Sequence, residues 1–150
     1  PDPVVPELTD LGFDVARRAI RVEGSLAGLA AGVDPLVVQL ESGSTIAEGR
    51  VPWGLAPHLP DVVQLDAAGA TTDQLRALAG DRPVIVAGRH LHRSPALRTL
   101  VEKLVADRPT VVVEMGWPST WRPAGSHAFV TTHGASHANG AALARTLALR

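Results

Sequence analysis

Short β-branched runs alternate with amphipathic segments along this chain of 150 residues. The apolar runs predict five strands, at residues 36–40, 61–65, 84–87, 110–114 and 128–132. Apolar positions three and four residues apart predict helices at about 10–22, 72–80, 95–106 and 136–149. Strands that alternate with helices imply a mainly parallel sheet covered on both faces. We therefore predict an α/β fold, a three-layer α/β/α sandwich whose mostly parallel sheet has five or six strands.

Composition limits the class of protein further. The length suits one domain over residues 1–150, and a net charge of −1 gives no reason to expect nucleic acid as a partner. No apolar run approaches the roughly 20 residues that cross a bilayer, so we expect no membrane partner. The chain has no cysteine, which excludes disulfides and thiolate metal ligands. Position 1 is not Met, and Pro1-Asp-Pro3 is typical of a linker. We expect a domain of a longer protein.

Polar and aromatic residues follow two of the predicted strands directly. The sequence GRHLHRSP follows the strand at 84–87, and EMGWP ends the strand at 110–114. In open α/β sheets, ligands gather at the carboxyl ends of the strands. Arginine offers a rigid fork of donors, and tryptophan can stack on an apolar sugar face. We expect seven residues to cluster at this edge and to contact a substrate or a neighbouring domain. These candidate contact residues are Arg89, His92, Arg93, Glu114, Trp117, Trp121 and Arg122.

The chain lacks the motifs of a self-contained catalyst. Residues 42–45 (SGST) follow a strand without the lysine of a phosphate-binding loop, and no Gly-x-Ser-x-Gly elbow is present. Glu41 and Glu114 are the carboxylates that the pattern places near the loop edge. For Glu114, the structural alternative is a buried ion pair with Arg89 or Arg93. We predict no catalytic residue and no cofactor.

Two further side-chain types admit a structural interpretation. Loop histidines could face one another across the sheet edge, but no metal-ligand spacing joins them, and we predict no metal site. The histidines concerned are His90, His92, His133 and His137. Trp53, Trp117 and Trp121 each lie near Pro or Gly in a predicted loop. Because tryptophan is mostly buried in proteins, the alternative to a sugar platform is that they cap the core.

Several stretches together resemble the C-terminal α/β domain of family 3 glycoside hydrolases, in its bacterial β-N-acetylhexosaminidase-like branch. Residues 16–21 (ARRAIR) match the helix that leads in from the catalytic barrel. Residues 84–95 resemble that branch's strand followed by Arg-x-x-His-Arg-x-Pro. Residues 112–118 (VVEMGWP), with 121–123 (WRP) and 132–135 (THGA), resemble its last block. His90 departs from the pattern, since an acidic residue is expected there.

The resemblance implies that the catalytic residues lie in another domain of the parent enzyme. The barrel, which is absent from this chain, supplies the nucleophilic Asp and, in this branch, a His that serves as acid/base. The C-terminal domain packs on the barrel and walls one side of the cleft. The expected partners are that N-terminal barrel and a carbohydrate, either an N-acetylglucosaminide or a glucoside. The chain alone is expected to be inactive. The alternatives are an independent flavodoxin-like module that binds a small ligand and a self-contained enzyme of other chemistry.

Overall fold

The structure is a computed structural model that describes residues 4–27, 34–41 and 53–147, with side chains from residue 11 onward. The sequence also predicts a long polar loop at residues 43–53, which lies outside the described residues except for Trp53, as does the SGST segment. The strands are β1 Arg21–Gly24, β2 Leu36–Glu41, β3 Val63–Asp66, β4 Val84–Gly88, β5 Thr110–Glu114 and β6 Ala128–Thr131. The helices are α1 Val4–Ala19, α2 Thr72–Ala79, α3 Pro95–Asp107 and α4 His137–Thr146. None of the described helices is long and apolar enough to cross a membrane.

Six strands form one sheet in the order β1-β6-β5-β4-β2-β3. All neighbours are parallel except β1 and β6, which pair antiparallel. The predicted mostly parallel α/β sandwich is therefore confirmed, with the larger of the two expected strand numbers. Central strands β4 and β5 are buried along their whole length, as their unbroken β-branched sequences indicate.

Alternate residues of each central strand enter two separate cores. On one face, Val84 and Val86 pack with side chains of α2 and α3, including Leu75, Leu100 and Leu104. On the opposite face, Ile85 and Ala87 pack with Leu143 of α4 and with Leu55, which precedes β3. This division follows from the two-residue period of a strand. It makes the molecule a three-layer sandwich.

Side-chain caps fix where three helices begin. The hydroxyls of Thr71, Ser94 and Ser136 each accept a backbone N–H from the first turn of α2, α3 and α4, respectively. Pro95 fills the first turn of α3, where its missing N–H costs nothing. Each cap follows the carboxyl end of a strand: β3, β4 and β6, respectively. The three helices therefore begin at the same edge of the sheet.

The amino-terminal part differs from the sequence-based expectation. Helix α1 begins at Val4, ahead of the predicted start near residue 10, and it ends at Ala19 instead of near Val22. Residues 21–24 instead form β1, which the sequence analysis missed. The strand is short and exposed throughout, so it carries no apolar alternation. Its pairing with β6 is a long-range contact that local periodicity does not reveal.

Gly140 of α4 marks a close approach between that helix and the turn that follows Trp53. A Cβ atom at position 140 would overlap the carbonyl oxygen of Gly54 and lie 2.9 Å from the His58 ring. By contrast, no described atom lies within 4 Å of a Cβ built on Gly12 of α1. The two helical glycines therefore differ in what a methyl group would meet.

We predict opposite effects of alanine at these two glycines. Gly140→Ala should lower the free energy of unfolding by about 1–3 kcal/mol because the methyl overpacks the contact. Gly12→Ala, the matched control, should raise it by up to about 1 kcal/mol through helix propensity. Urea unfolding followed by circular dichroism measures both. Equal effects of the two substitutions would contradict this account of the α4 contact.

Candidate functional site at the carboxyl edge of the sheet

Glu114, the last residue of β5, is the centre of the carboxyl edge. Its side chain is buried, and its carboxylate accepts three backbone N–H groups: from His90 at 2.7 Å, Leu91 at 2.9 Å and Gly116 at 2.8 Å. The parallel register pairs Gly88 with Glu114, which brings the loop after β4 beside this carboxylate. One side chain thus fixes both edge loops, since each charge-assisted bond is worth about 1.5–3 kcal/mol.

The partners of Glu114 differ from the structural alternative considered above. That alternative is an ion pair with Arg89 or Arg93, and neither guanidinium forms one with Glu114. Backbone amides replace them, together with His92, whose Nδ1 lies 3.5 Å from Glu114 Oε1. A carboxylate can accept several N–H groups at once, so the buried charge is satisfied without an arginine.

His90 adopts the left-handed backbone conformation, with φ of 59°, at the start of a 3₁₀ turn formed by Leu91–Arg93. Few side chains tolerate this region, and histidine is among the enriched ones. The His90 ring packs on Gly116, where an added Cβ would lie 2.8 Å from the ring. Nδ1 of His90 accepts the backbone N–H of Trp117 at 3.4 Å. The residue that departs from the family pattern therefore links the two edge loops.

Burial lowers the pKa of His90, and the nearby positive charge of Arg93 lowers it further. The Glu114 carboxylate acts in the opposite direction, with smaller effect, while His92 and Arg89 again lower the pKa. The neutral ring is the form whose Nδ1 can accept the Trp117 N–H. The electrostatics and the hydrogen bond thus favour the same protonation state.

Trp117 and Arg93 project from this fixed framework into solvent. The Trp117 residue is 73% exposed, the largest exposure among the large hydrophobic residues described, although its backbone is held through His90. Arg93 is exposed, and its guanidinium has no hydrogen bond or ion pair to a residue within the described ranges. An exposed indole and an exposed guanidinium beside an ordered loop are suited to contact another molecule.

A second polar network lies next to this one, at the end of β2. Gln39 is completely buried, and its amide is fully used: Oε1 accepts the N–H groups of Leu55 and Ala56, and Nε2 donates to Glu41 and to the Trp53 carbonyl. The Trp53 indole N–H donates to the other oxygen of Glu41. The network ties the turn after Trp53 to the sheet. Sequence reasoning missed Gln39, although a glutamine inside the apolar run LVVQL signals a buried polar contact.

Arg89 belongs to this second network. Its guanidinium carbon lies 4.3 Å from the centroid of the Trp53 ring, a cation–π contact. Trp53 itself is buried in the core, as the structural interpretation of the tryptophans expected. Arg89 is therefore placed at the carboxyl edge, stacked on a core residue.

Two of the candidate residues contact a different part of the sheet. The ring of Trp121 meets that of Phe129 edge-on, with centroids 6.5 Å apart, and packs on the core that faces α2 and α3. The Arg122 guanidinium lies 4.2 Å from the Phe129 ring centroid and pairs with Glu23 of β1. No helix separates β5 from β6, so Trp121 covers β6 where a crossover helix otherwise would. Neither residue contacts the group around Glu114.

The histidines do not converge. His133 bonds through Nδ1 to the Ala19 carbonyl at 2.7 Å, whereas His137 packs on His58 with ring centroids 4.3 Å apart. Over the described residues, no three potential ligands are grouped so that they could hold a metal ion. Burial lowers the pKa of His58, with repulsion from His137 as a second cause and the bond to the His137 carbonyl opposing both.

A shallow groove of about 460 Å³ opens between α2 and α3. It is lined by Ala70, Thr71, Thr72, Pro95, Ala96, Thr99, Leu100 and Lys103. The residues at the starts of both helices contribute to it, so it too lies on the carboxyl side of the sheet. None of the seven candidate contact residues lines this groove.

Comparison with known proteins bears on the fold. The chain matches no family model and no curated protein. Its structure is similar to that of a glycoside hydrolase family 3 β-N-acetylglucosaminidase from Paenibacillus sp. str. FPU-7, with a TM-score of 0.70 and 21% sequence identity. The match covers 94% of this chain and 30% of that one, so the chain spans less than a third of the length of that enzyme. The resemblance read from the motifs is confirmed at the level of the fold.

We predict that acid destabilises the protein through His90 and His58. The pKa of each is lowered in the fold, so below the ordinary value of about 6.5 the unfolded chain binds more protons. The free energy of unfolding should therefore fall as pH decreases from about 7 to about 5.5. Chemical unfolding at each pH measures it.

Two neutral replacements should flatten this dependence. His90→Asn tolerates the left-handed backbone and keeps an acceptor near Nδ1, and His58→Gln keeps a donor toward the His137 carbonyl. His127→Gln, at an exposed position, is the control. A double variant that retains the slope of the unsubstituted protein would show that other groups cause it.

Proposed function

We propose that this chain is an accessory domain of a family 3 glycoside hydrolase, of β-N-acetylhexosaminidase or β-glucosidase type. In this proposal it packs on the catalytic barrel of its parent chain, completes the sugar-binding cleft, and has no catalytic activity alone. The observation that carries the proposal is the exposed Trp117 on a loop fixed by Glu114 and His90. The likeness of the fold to a part of a family 3 enzyme supports it.

A wall of a sugar cleft needs an apolar platform and fixed polar donors. Trp117 offers an exposed indole that has no aromatic or cation–π partner among the described residues, and Arg93 offers an exposed guanidinium on the loop after β4. Both leave loops whose amides are anchored to one buried carboxylate. Because the loops are ordered before a sugar arrives, little conformational entropy opposes binding.

The carboxylates of Glu41 and Glu114 are already hydrogen-bonded to protein donors, which argues against hydrolysis by the chain alone. Glycosidases of the usual kind place two carboxyl groups on either side of the scissile bond. Glu114 is buried under three N–H groups, and both oxygens of Glu41 are occupied by Gln39 and Trp53. Neither is free to protonate a leaving group or to attack a sugar. Catalytic groups would therefore come from the barrel.

The groove between α2 and α3 favours the alternative function, a small-ligand module. Its volume suits a small molecule, and its threonine hydroxyls and Lys103 could contact polar groups. It is open and shallow, however, and lacks the exposed aromatic side chain of the Trp117 loop. We rank this function second. Saturable binding of a small molecule that Lys103→Ala abolishes, in the chain without a barrel, would favour it.

The test is kinetic and uses the parent protein with its barrel beside the 150-residue chain. The parent should hydrolyse 4-nitrophenyl N-acetyl-β-glucosaminide or the matching glucoside, and the chain alone should release no nitrophenol. In the parent, Trp117→Ala and Arg93→Ala should each lower kcat/KM by about tenfold or more, equivalent to about 1.4 kcal/mol. The melting temperature should change little because both side chains are exposed.

Leu78→Ala is the matched control, since Leu78 is an exposed apolar residue on α2. It should leave kcat/KM unchanged. Turnover by the chain alone would contradict the accessory role. Loss of stability with full activity in the Trp117 and Arg93 variants would instead make these residues structural.

A further inference from the structure

His92 is a partly buried histidine whose Nδ1 atom lies beside the Glu114 carboxylate. Its Nδ1 atom is buried, lies 3.5 Å from Glu114 Oε1, and has no hydrogen-bond partner among the described residues. The side chain is 19% exposed, so part of the ring meets the solvent. Glu114 in turn accepts three backbone N–H groups through its two oxygens.

The electrostatics of this pair select one tautomer. At 3.5 Å from Glu114 Oε1, a lone pair on Nδ1 would be repelled by the carboxylate oxygen, whereas an N–H at the same atom is attracted. We therefore expect the neutral ring to carry its hydrogen on Nδ1. In the neutral ring, Nε2 then keeps the lone pair and accepts hydrogen bonds. Carboxylates orient histidines in this way in many sites.

We propose that Glu114 is a positioning residue that fixes His92 as the Nδ1–H tautomer, and that His92 Nε2 is the acceptor at this edge for a hydroxyl or amide N–H of a carbohydrate. The contact between His92 Nε2 and a carbohydrate rests on the proposed function, whereas the tautomer of His92 does not. His90 has the opposite arrangement, since its Nδ1 accepts the Trp117 N–H and its Nε2 carries the hydrogen.

The other edge side chains described above cannot accept a hydrogen bond from a ligand. Arg89, Arg93 and the Trp117 indole can only donate. The carboxylates of Glu114 and Glu41 are already occupied by protein donors. Sugar hydroxyls both donate and accept, so a complementary wall needs at least one acceptor. Of the edge side chains described above, only His92 has an acceptor atom, Nε2, to which no residue in the described ranges donates.

The tautomer is tested by ¹⁵N NMR of the imidazole rings in the 150-residue chain at a pH where they are neutral. His92→Gln and His90→Asn assign the signals. We expect the Nδ1–H form for His92 and the Nε2–H form for His90, with exposed His127 as the internal reference. An Nε2–H form of His92, or a mixture like that of His127, overturns the proposal.

The role of Nε2 is tested in the parent protein with two amide replacements. Glutamine can place an oxygen near the Nε2 position, whereas asparagine keeps a donor toward Glu114 but offers no outward acceptor. His92→Gln should keep KM for the aryl N-acetylglucosaminide within about threefold, and His92→Asn should raise it by about tenfold or more. Both should melt at similar temperatures.

Equal changes of KM in the two variants, or none in either, overturn the ligand role. A parent that hydrolyses no aryl glycoside overturns the ligand role and the proposed function together. The NMR result distinguishes that failure, since it decides the tautomer without any activity.

Discussion

The buried carboxylate of Glu114 is the interaction on which the carboxyl edge depends. A charge taken out of water costs several kcal/mol unless hydrogen bonds replace its solvation. Here the chain supplies them from three backbone N–H groups on two loops, and those groups would themselves be unsatisfied without the carboxylate. The dependence is mutual, so the loops hold the charge and the charge holds the loops. His90 can occupy a left-handed conformation because its N–H gains one of these bonds.

The sheet order makes that interaction possible. Because β4 and β5 are adjacent and parallel, Gly88 lies opposite Glu114, and the loop after β4 reaches the carboxylate directly. On the other side of β4, β2 ends at Glu41, next to Arg89 and Trp53. Two polar networks thus stand side by side at the same edge. The network of Gln39 and Glu41 bonds to the buried Trp53, whereas the network of Glu114 holds the loops from which Trp117 and Arg93 project into solvent.

The sequence predicted the parts of this architecture that depend on local pattern. Buried strands, capped helices and the edge at which Glu114 and Trp117 lie all follow from apolar period and turn chemistry. β1 could not be predicted, because its pairing with β6 is non-local and its residues are exposed. The same limit applies to Glu114: its place at the end of a strand was readable, but its backbone partners depend on the neighbouring loop. Trp121 and Arg122 follow β5 in sequence, yet their contacts are to Phe129.

Amide hydrogen exchange measures the central interaction most directly. If the Glu114 carboxylate holds both loops, the N–H groups of His90, Leu91 and Gly116 should exchange as slowly as those inside β4 and β5, although they lie in loops. In Glu114→Gln, which weakens the acceptor, these three amides should exchange faster while those of α4 remain protected. Exchange of the three amides at the rate of unprotected loop residues in the unsubstituted protein would contradict the account.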